Sequence, residues 1–163
     1  SLKGATMTIT ETDLEVARQA WSDGLIAISQ AHQTSGVEGA RSVAERVIDD
    51  AYGYNLGPVL FKPTMASGDQ TFRLTRAGAI SYFVGDDPDF PDDSGFALNG
   101  WRKVDSTTAA SFVDGNVAMW MGRMVLTNDR GEVTTVDKSF GYRRESGGGL
   151  RIVLHHSSLP YER

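Results

Sequence analysis

Cysteine is absent from all 163 residues, which excludes disulfides and thiolate metal ligands and fits a reducing compartment. Histidine is scarce. His32 lies in a segment of helical pattern, and His155 and His156 are adjacent near the C-terminus. Neighbouring side chains on a strand point to opposite faces, so those two cannot ligate one ion. A catalytic zinc wants three protein ligands from His, Asp, Glu or Cys, and no dedicated zinc set is in view. One histidine with carboxylates would suit a harder ion such as manganese or magnesium. Basic residues are in deficit, 16 Lys and Arg against 21 Asp and Glu for a net charge of −5. That balance disfavours non-specific nucleic-acid binding. Long apolar runs are lacking as well: none approaches a membrane span, and no secretory apolar region is visible. There is no Gly-x-Ser-x-Gly elbow, and the glycine clusters at Gly115 and Gly147 to Gly149 lie between strands, where they cradle no phosphate.

What remains has the composition of an ordinary globular protein, 40% hydrophobic and 23% charged. The length suits one domain with its own core. Residues 1–7 read as an artificial remnant or a trimmed leader, and 8–163 as a single α+β domain. The expected setting is that of a soluble protein, in the bacterial cytoplasm or in a plastid if a leader was removed.

Leu14, Ala17, Trp21, Leu25, Ile28 and Ala31 recur at spacings of three and four, which predicts a helix over 12–32. Thr12 with Glu15 has the form of its capping box. Ser35-Gly36 breaks the pattern, and a second helix runs to Ala51. Segments 58–64 and 70–74 read as short strands or extended segments, and Thr75 as the cap of a short helix through Phe83. Residues 85–95, with five aspartates and two prolines, read as a solvated loop. Its spacing is not that of a calcium-binding EF-hand. From Phe96 the pattern becomes β, with strands at 101–104, 109–113, 117–127, 133–143 and 150–157, joined by turn chemistry at Asp114-Gly115-Asn116 and Asn128-Asp129-Arg130-Gly131. Helices first and an antiparallel meander after make an α+β fold.

The last strand ends in His155-His156-Ser157-Ser158, stopped by Pro160. Alternation places His155 and Ser157 on one face with Val153, and His156 and Ser158 on the other with Leu154. A polar cluster on a rigid strand end suits a binding or catalytic site.

Four stretches together resemble the iota-class carbonic anhydrases: Tyr52-Gly53-Tyr54-Asn55-Leu56-Gly57-Pro58-Val59-Leu60-Phe61-Lys62-Pro63-Thr64, Ala79-Ile80-Ser81-Tyr82-Phe83-Val84-Gly85, Phe140-Gly141-Tyr142-Arg143, and the His155-His156-Ser157-Ser158-x-Pro160 end. That branch is related to the association domain of calcium/calmodulin-dependent protein kinase II. The resemblance implies a cone-shaped nuclear-transport-factor-2-like fold, with N-terminal helices packed on a curved antiparallel sheet. It implies reversible hydration of carbon dioxide to bicarbonate without a metal, although other members have been described as manganese-dependent. The site residues it implies are Thr64, Tyr82, His155 and Ser157. Thr64, Tyr82 and Ser157 would hold substrate, and His155, with an unperturbed pKa near 6.5, would act as general base. Two other functions fit the same cone: a non-enzymatic oligomerisation module, or a small-molecule-binding or isomerase-like protein. In each case, apolar outward residues near 117–125 predict a homodimer.

Overall fold

The computed structural model describes residues 8–163, so the reading of 1–7 lies outside the described residues. A 41-residue helix, α1 (Glu11–Ala51), opens the chain. Its N-cap is Thr10, whose hydroxyl accepts from the Asp13 backbone N–H while the Asp13 carboxylate accepts from the Thr10 N–H. The capping box therefore sits two residues before the Thr12–Glu15 pair, because the shorter Asp side chain closes the same reciprocal geometry. The expected break is a kink inside α1 at Gly36, whose φ of 68° belongs to the left-handed region that glycine enters without a Cβ clash.

After a tight turn come β1 (Leu60–Lys62), α2 (Arg76–Val84), and four long strands: β2 (Trp101–Asp114), β3 (Val117–Asn128), β4 (Val133–Arg144) and β5 (Leu150–Ser158). Thr75 caps α2 by accepting from the Gly78 N–H. The sheet order is β1-β5-β4-β3-β2, antiparallel except for β1 against β5. The sheet is curved and open, and α1 covers one of its faces. Strand β2 is continuous where a gap was expected at 105–108, since its register with β3 persists through Asp105–Val125 and Thr107–Arg123. Of the two alternatives for 70–74 the strand does not form: a single 3₁₀ turn (Gly68–Gln70) leads into a segment without regular structure, and Arg73 is drawn inward by Asp93.

That ion pair also corrects the reading of 85–95. Arg73 meets both oxygens of Asp93 at 2.6 and 2.7 Å, and Ser81 donates to the same carboxylate at 2.6 Å. Both partners are buried, 3% and 7% exposed. The acidic segment is thus anchored under α2 by one aspartate, while its other four remain half-buried or exposed.

The core is continuous from Ile9 to Ile152. Its centre is aromatic: Trp21 of α1 packs edge-on against Phe140 of β4. The C-terminal end of α1 is tied to β5 by Gly53, whose N–H donates to the Ile152 carbonyl at 2.9 Å. No helix among the described residues is long and apolar enough to cross a membrane.

Candidate active site

Strand β5 carries the first two site residues. A register shift opposite Gly141 and Tyr142 leaves Val153 unpaired, and this β-bulge switches the facing of everything upstream. His155 and Ser157 therefore share the inner face with Ile152 rather than with Val153. His156 points out, as expected, and is exposed.

β1 lies parallel to β5, with Phe61 opposite His155 and Lys62 opposite His156. That register brings the residue after Pro63 to the end of β5. Thr64 Oγ1 lies 2.6 Å from Ser157 Oγ, and Lys62 Nζ donates to the Ser157 carbonyl at 2.9 Å. Tyr82, on α2, completes the hydroxyl group of the site. Its oxygen accepts from the Met65 N–H at 3.1 Å. Burial raises the phenol to about 12, against the opposing hydrogen bonds from Met65 and Thr64. Tyr82 and Met65 also line an open cavity of about 400 Å³ with Phe96, Trp101 and Thr134.

His155 stands apart from this trio. Its ring is stacked on Phe61, 4.4 Å between centroids and 14° between planes, and it is flanked by Trp21 and Phe140. Nδ1 lies 2.8 Å from the Tyr52 hydroxyl, and Nε2 lies 2.9 Å from Lys138 Nζ. Burial first, then repulsion of a second cation beside Lys138 and His156, disfavour the imidazolium and hold the imidazole well below its ordinary value. The structure thus brings Thr64, Tyr82 and Ser157 together through hydroxyl and backbone contacts. It places His155 in an aromatic box with two partners that sequence reasoning missed.

Those partners had signals. Lys138 falls on the inward parity of β4 between Val136 and Phe140, an unusual place for an amine. Tyr52 caps α1 and lies within the Tyr-Gly-Tyr run already singled out. Among the described residues, no group of three or more His, Cys, Asp or Glu is arranged to hold a metal ion.

A family model described as metal-independent carbonic anhydrase matches residues 12–159. A metal-independent carbonic anhydrase from Nostoc sp. is 54% identical over 154 residues, covering 94% of this chain and 75% of the relative. A crystal structure of the iota-carbonic anhydrase from a cyanobacterium, complexed with bicarbonate, superposes with a TM-score of 0.94 at 53% identity, covering 96% and 95% of the two chains. More distant likenesses show the fold alone. A putative calcium/calmodulin-dependent protein kinase II association domain from Xanthomonas campestris has a TM-score of 0.55 at 17% identity, over 92% and 87% of the two chains. A putative dehydratase of the nuclear-transport-factor-2-like family from Streptomyces avermitilis has a TM-score of 0.52 at 12% identity, over 93% and 96%.

Proposed function

Because this chain belongs to the metal-independent carbonic anhydrase family, the iota class, we propose that it hydrates carbon dioxide with the hydroxyls of Thr64, Tyr82 and Ser157 and with His155 as general base. The observation that carries this reading is the short Thr64–Ser157 contact beside Tyr82. Ser157 donates to Thr64 and Thr64 to the Tyr82 oxygen, which leaves several lone pairs for a ligand. Tyr82 also accepts from the Met65 N–H and keeps its own proton to donate. A phenol raised to about 12 stays protonated across the neutral range. The linked hydroxyls therefore offer a donor where negative charge develops on the oxygens of carbon dioxide. They also offer lone pairs that can orient the attacking water.

In the hydration direction, water forms a C–O bond to carbon and loses one proton, giving bicarbonate. Bicarbonate is the ligand in the structure of the cyanobacterial relative, and its planar oxygens match the three hydroxyls in number. His155, uncharged at neutral pH and apart from the three hydroxyls, is the proton acceptor and is reached at Nδ1 through the Tyr52 hydroxyl. General-base assistance of this kind contributes on the order of 10²–10⁴-fold.

The open sheet supports a second assignment, a homodimer. Phe112 and Met119 are cross-strand partners on the uncovered face, Met121 lies beside them, and all three are roughly half exposed or more. A contiguous apolar surface of this kind, continuous over two strands, suits a second copy of the same chain.

Stopped-flow carbon dioxide hydration on chelator-stripped, metal-assayed protein tests the reaction. Activity is expected to survive stripping. Activity that returns only with added manganese would overturn a site made of these four side chains.

A further inference from the structure

The proposed hydration leaves one strong polar feature unused. Lys138 is 5% exposed, and among the described residues no carboxylate lies within ion-pair distance of it. Its Nζ has one hydrogen-bond partner, Nε2 of His155 at 2.9 Å. Around it are the faces of Trp21, 4.4 Å from centroid to nitrogen, and Phe140, at 5.5 Å.

Counting donors fixes the protons in this group. The Trp21 indole can only donate, and it donates to the Tyr52 oxygen at 3.0 Å. The Tyr52 hydroxyl has one other partner, Nδ1 of His155. A buried O–H left without an acceptor is costly, so Tyr52 donates to Nδ1, and the imidazole proton sits on Nε2. Nε2–H then faces Lys138. An ammonium has no lone pair and would set donor against donor. Only the uncharged amine completes the chain from Trp21 through Tyr52 and His155 to Lys138.

We infer that Lys138 is a positioning residue for the proposed hydration: its neutral amine fixes the His155 tautomer and takes on the proton that the imidazole receives. This inference rests on the proposed function. The balance is simple. The pair begins as Nε2–H and NH₂. A proton released by water reaches the Tyr52 oxygen, the Tyr52 proton moves to Nδ1, and the ring passes its Nε2 proton to the amine, ending as a neutral Nδ1–H ring and an ammonium. Buffer takes the proton back before the next turnover. The ammonium is held over two aromatic faces, which stabilise a desolvated cation.

Other charged and titratable groups around the pair do not supply a counter-ion. Tyr52 at the end of α1 and Tyr142 on β4 are buried phenols pushed up by desolvation, and His156 on β5 faces outward. Arg18 of α1 lies over Trp120. Burial lowers the amine to about 7, which brings the uncharged form within reach at neutral pH.

The test combines ¹⁵N NMR of the His155 ring and Lys138 Nζ in the unaltered protein with pH profiles of hydration by that protein and by Lys138→Met. Expected are an Nε2-protonated ring, an amine that titrates near neutrality, and a kcat/KM midpoint at the same pH. In Lys138→Met that midpoint should move by more than about one pH unit, with KM for carbon dioxide changed less than about twofold. A ring protonated on Nδ1, a Lys138 still charged at about pH 9, or a folded Lys138→Met with the unaltered profile would each overturn the inference. If the variant fails to fold, the NMR decides alone. A complete lack of hydration by the unaltered protein would overturn the proposed reaction, while the NMR still judges the pair by itself.

Discussion

Thr64 Oγ1 and Ser157 Oγ lie 2.6 Å apart although 93 residues separate them in the chain. The contact exists because β1, only three residues long, adds to the edge of β5 in parallel register. Pro63 follows at once and turns the chain, delivering Thr64 to the strand end. Removing the Ser157 hydroxyl takes away the donor to Thr64 and breaks the chain of hydroxyls that ends at Tyr82. Ser157→Ala is expected to lower kcat/KM by up to about 10²-fold, the usual cost of losing the donor at the end of such a chain, with little change in melting temperature. A loss under threefold by stopped-flow would remove Ser157 from the site.

Tyr82→Phe tests a different property. The phenol is raised to about 12 by burial, so it contributes as a neutral donor at every pH between about 6 and 9. The variant should therefore lose activity by a constant factor across that range, about 10-fold or more. A loss confined to the alkaline side would mean that Tyr82 acts as phenolate instead.

The two α1 halves, the Thr75 cap, the three hairpins and the outward His156 are legible in the sequence because each rests on local periodicity or turn chemistry. What was not legible is long-range. The bulge at Val153 depends on how β4 pairs, so the alternation was read one residue out upstream of His155. The Asp93 anchor depends on Arg73, 20 residues earlier, and nothing in a run of aspartates marks which one turns inward. The family motifs pointed to His155 itself. Its chemistry, however, is set by Tyr52, 103 residues away, and by Lys138. A pKa near the ordinary histidine value was the natural expectation for a strand end, and burial beside an amine overrides it.

Phe112, Met119 and Met121 leave an apolar patch on the open face of the sheet. The homodimer proposal places that patch in the interface. Light scattering at micromolar concentration should give twice the chain mass, and Met121→Arg should shift the distribution towards monomer by burying an unpaired charge. A monomer for the unaltered protein would remove this interface.

The Arg73–Asp93 pair sets an acid limit on stability. Burial pushes the Asp93 carboxyl up, but Arg73 and Ser81 outweigh it, and the net value is below the ordinary one. A carboxyl depressed in the folded state stabilises above its unfolded value, near 3.9. That contribution is lost as pH falls through the lower folded value. Asp93→Asn leaves a buried guanidinium uncompensated and should cost on the order of 3 kcal/mol near neutral pH. As pH falls below the unfolded value, near 3.9, the gap to the unaltered protein should narrow progressively, as read by chemical denaturation. A gap that stays constant across the acid range would show that the pair carries no acid sensitivity.

Lys138 predicts the opposite slope. Its amine is lowered to about 7 in the folded protein by burial, against about 10.4 in an unfolded chain. Between those values the unfolded chain binds more protons than the folded one, so stability rises with pH across that window. Below about 7 the penalty for burying the amine is present in full. It fades as pH climbs towards 10.4. Lys138→Met keeps an unbranched apolar stem against Trp21 and Phe140 and abolishes the penalty. The variant should therefore be more stable than the unaltered protein near pH 7, by a few kcal/mol. The excess should shrink steadily on titration to about pH 10. Loss of the Nε2–H acceptor works against the gain, because the His155 donor is then buried without a partner, and that cost does not vary with pH while the imidazole stays neutral. The slope of the difference with pH is accordingly the diagnostic quantity. Guanidinium unfolding at several pH values measures it, and a pH-independent difference would mean that Lys138 is charged in the folded protein at neutrality.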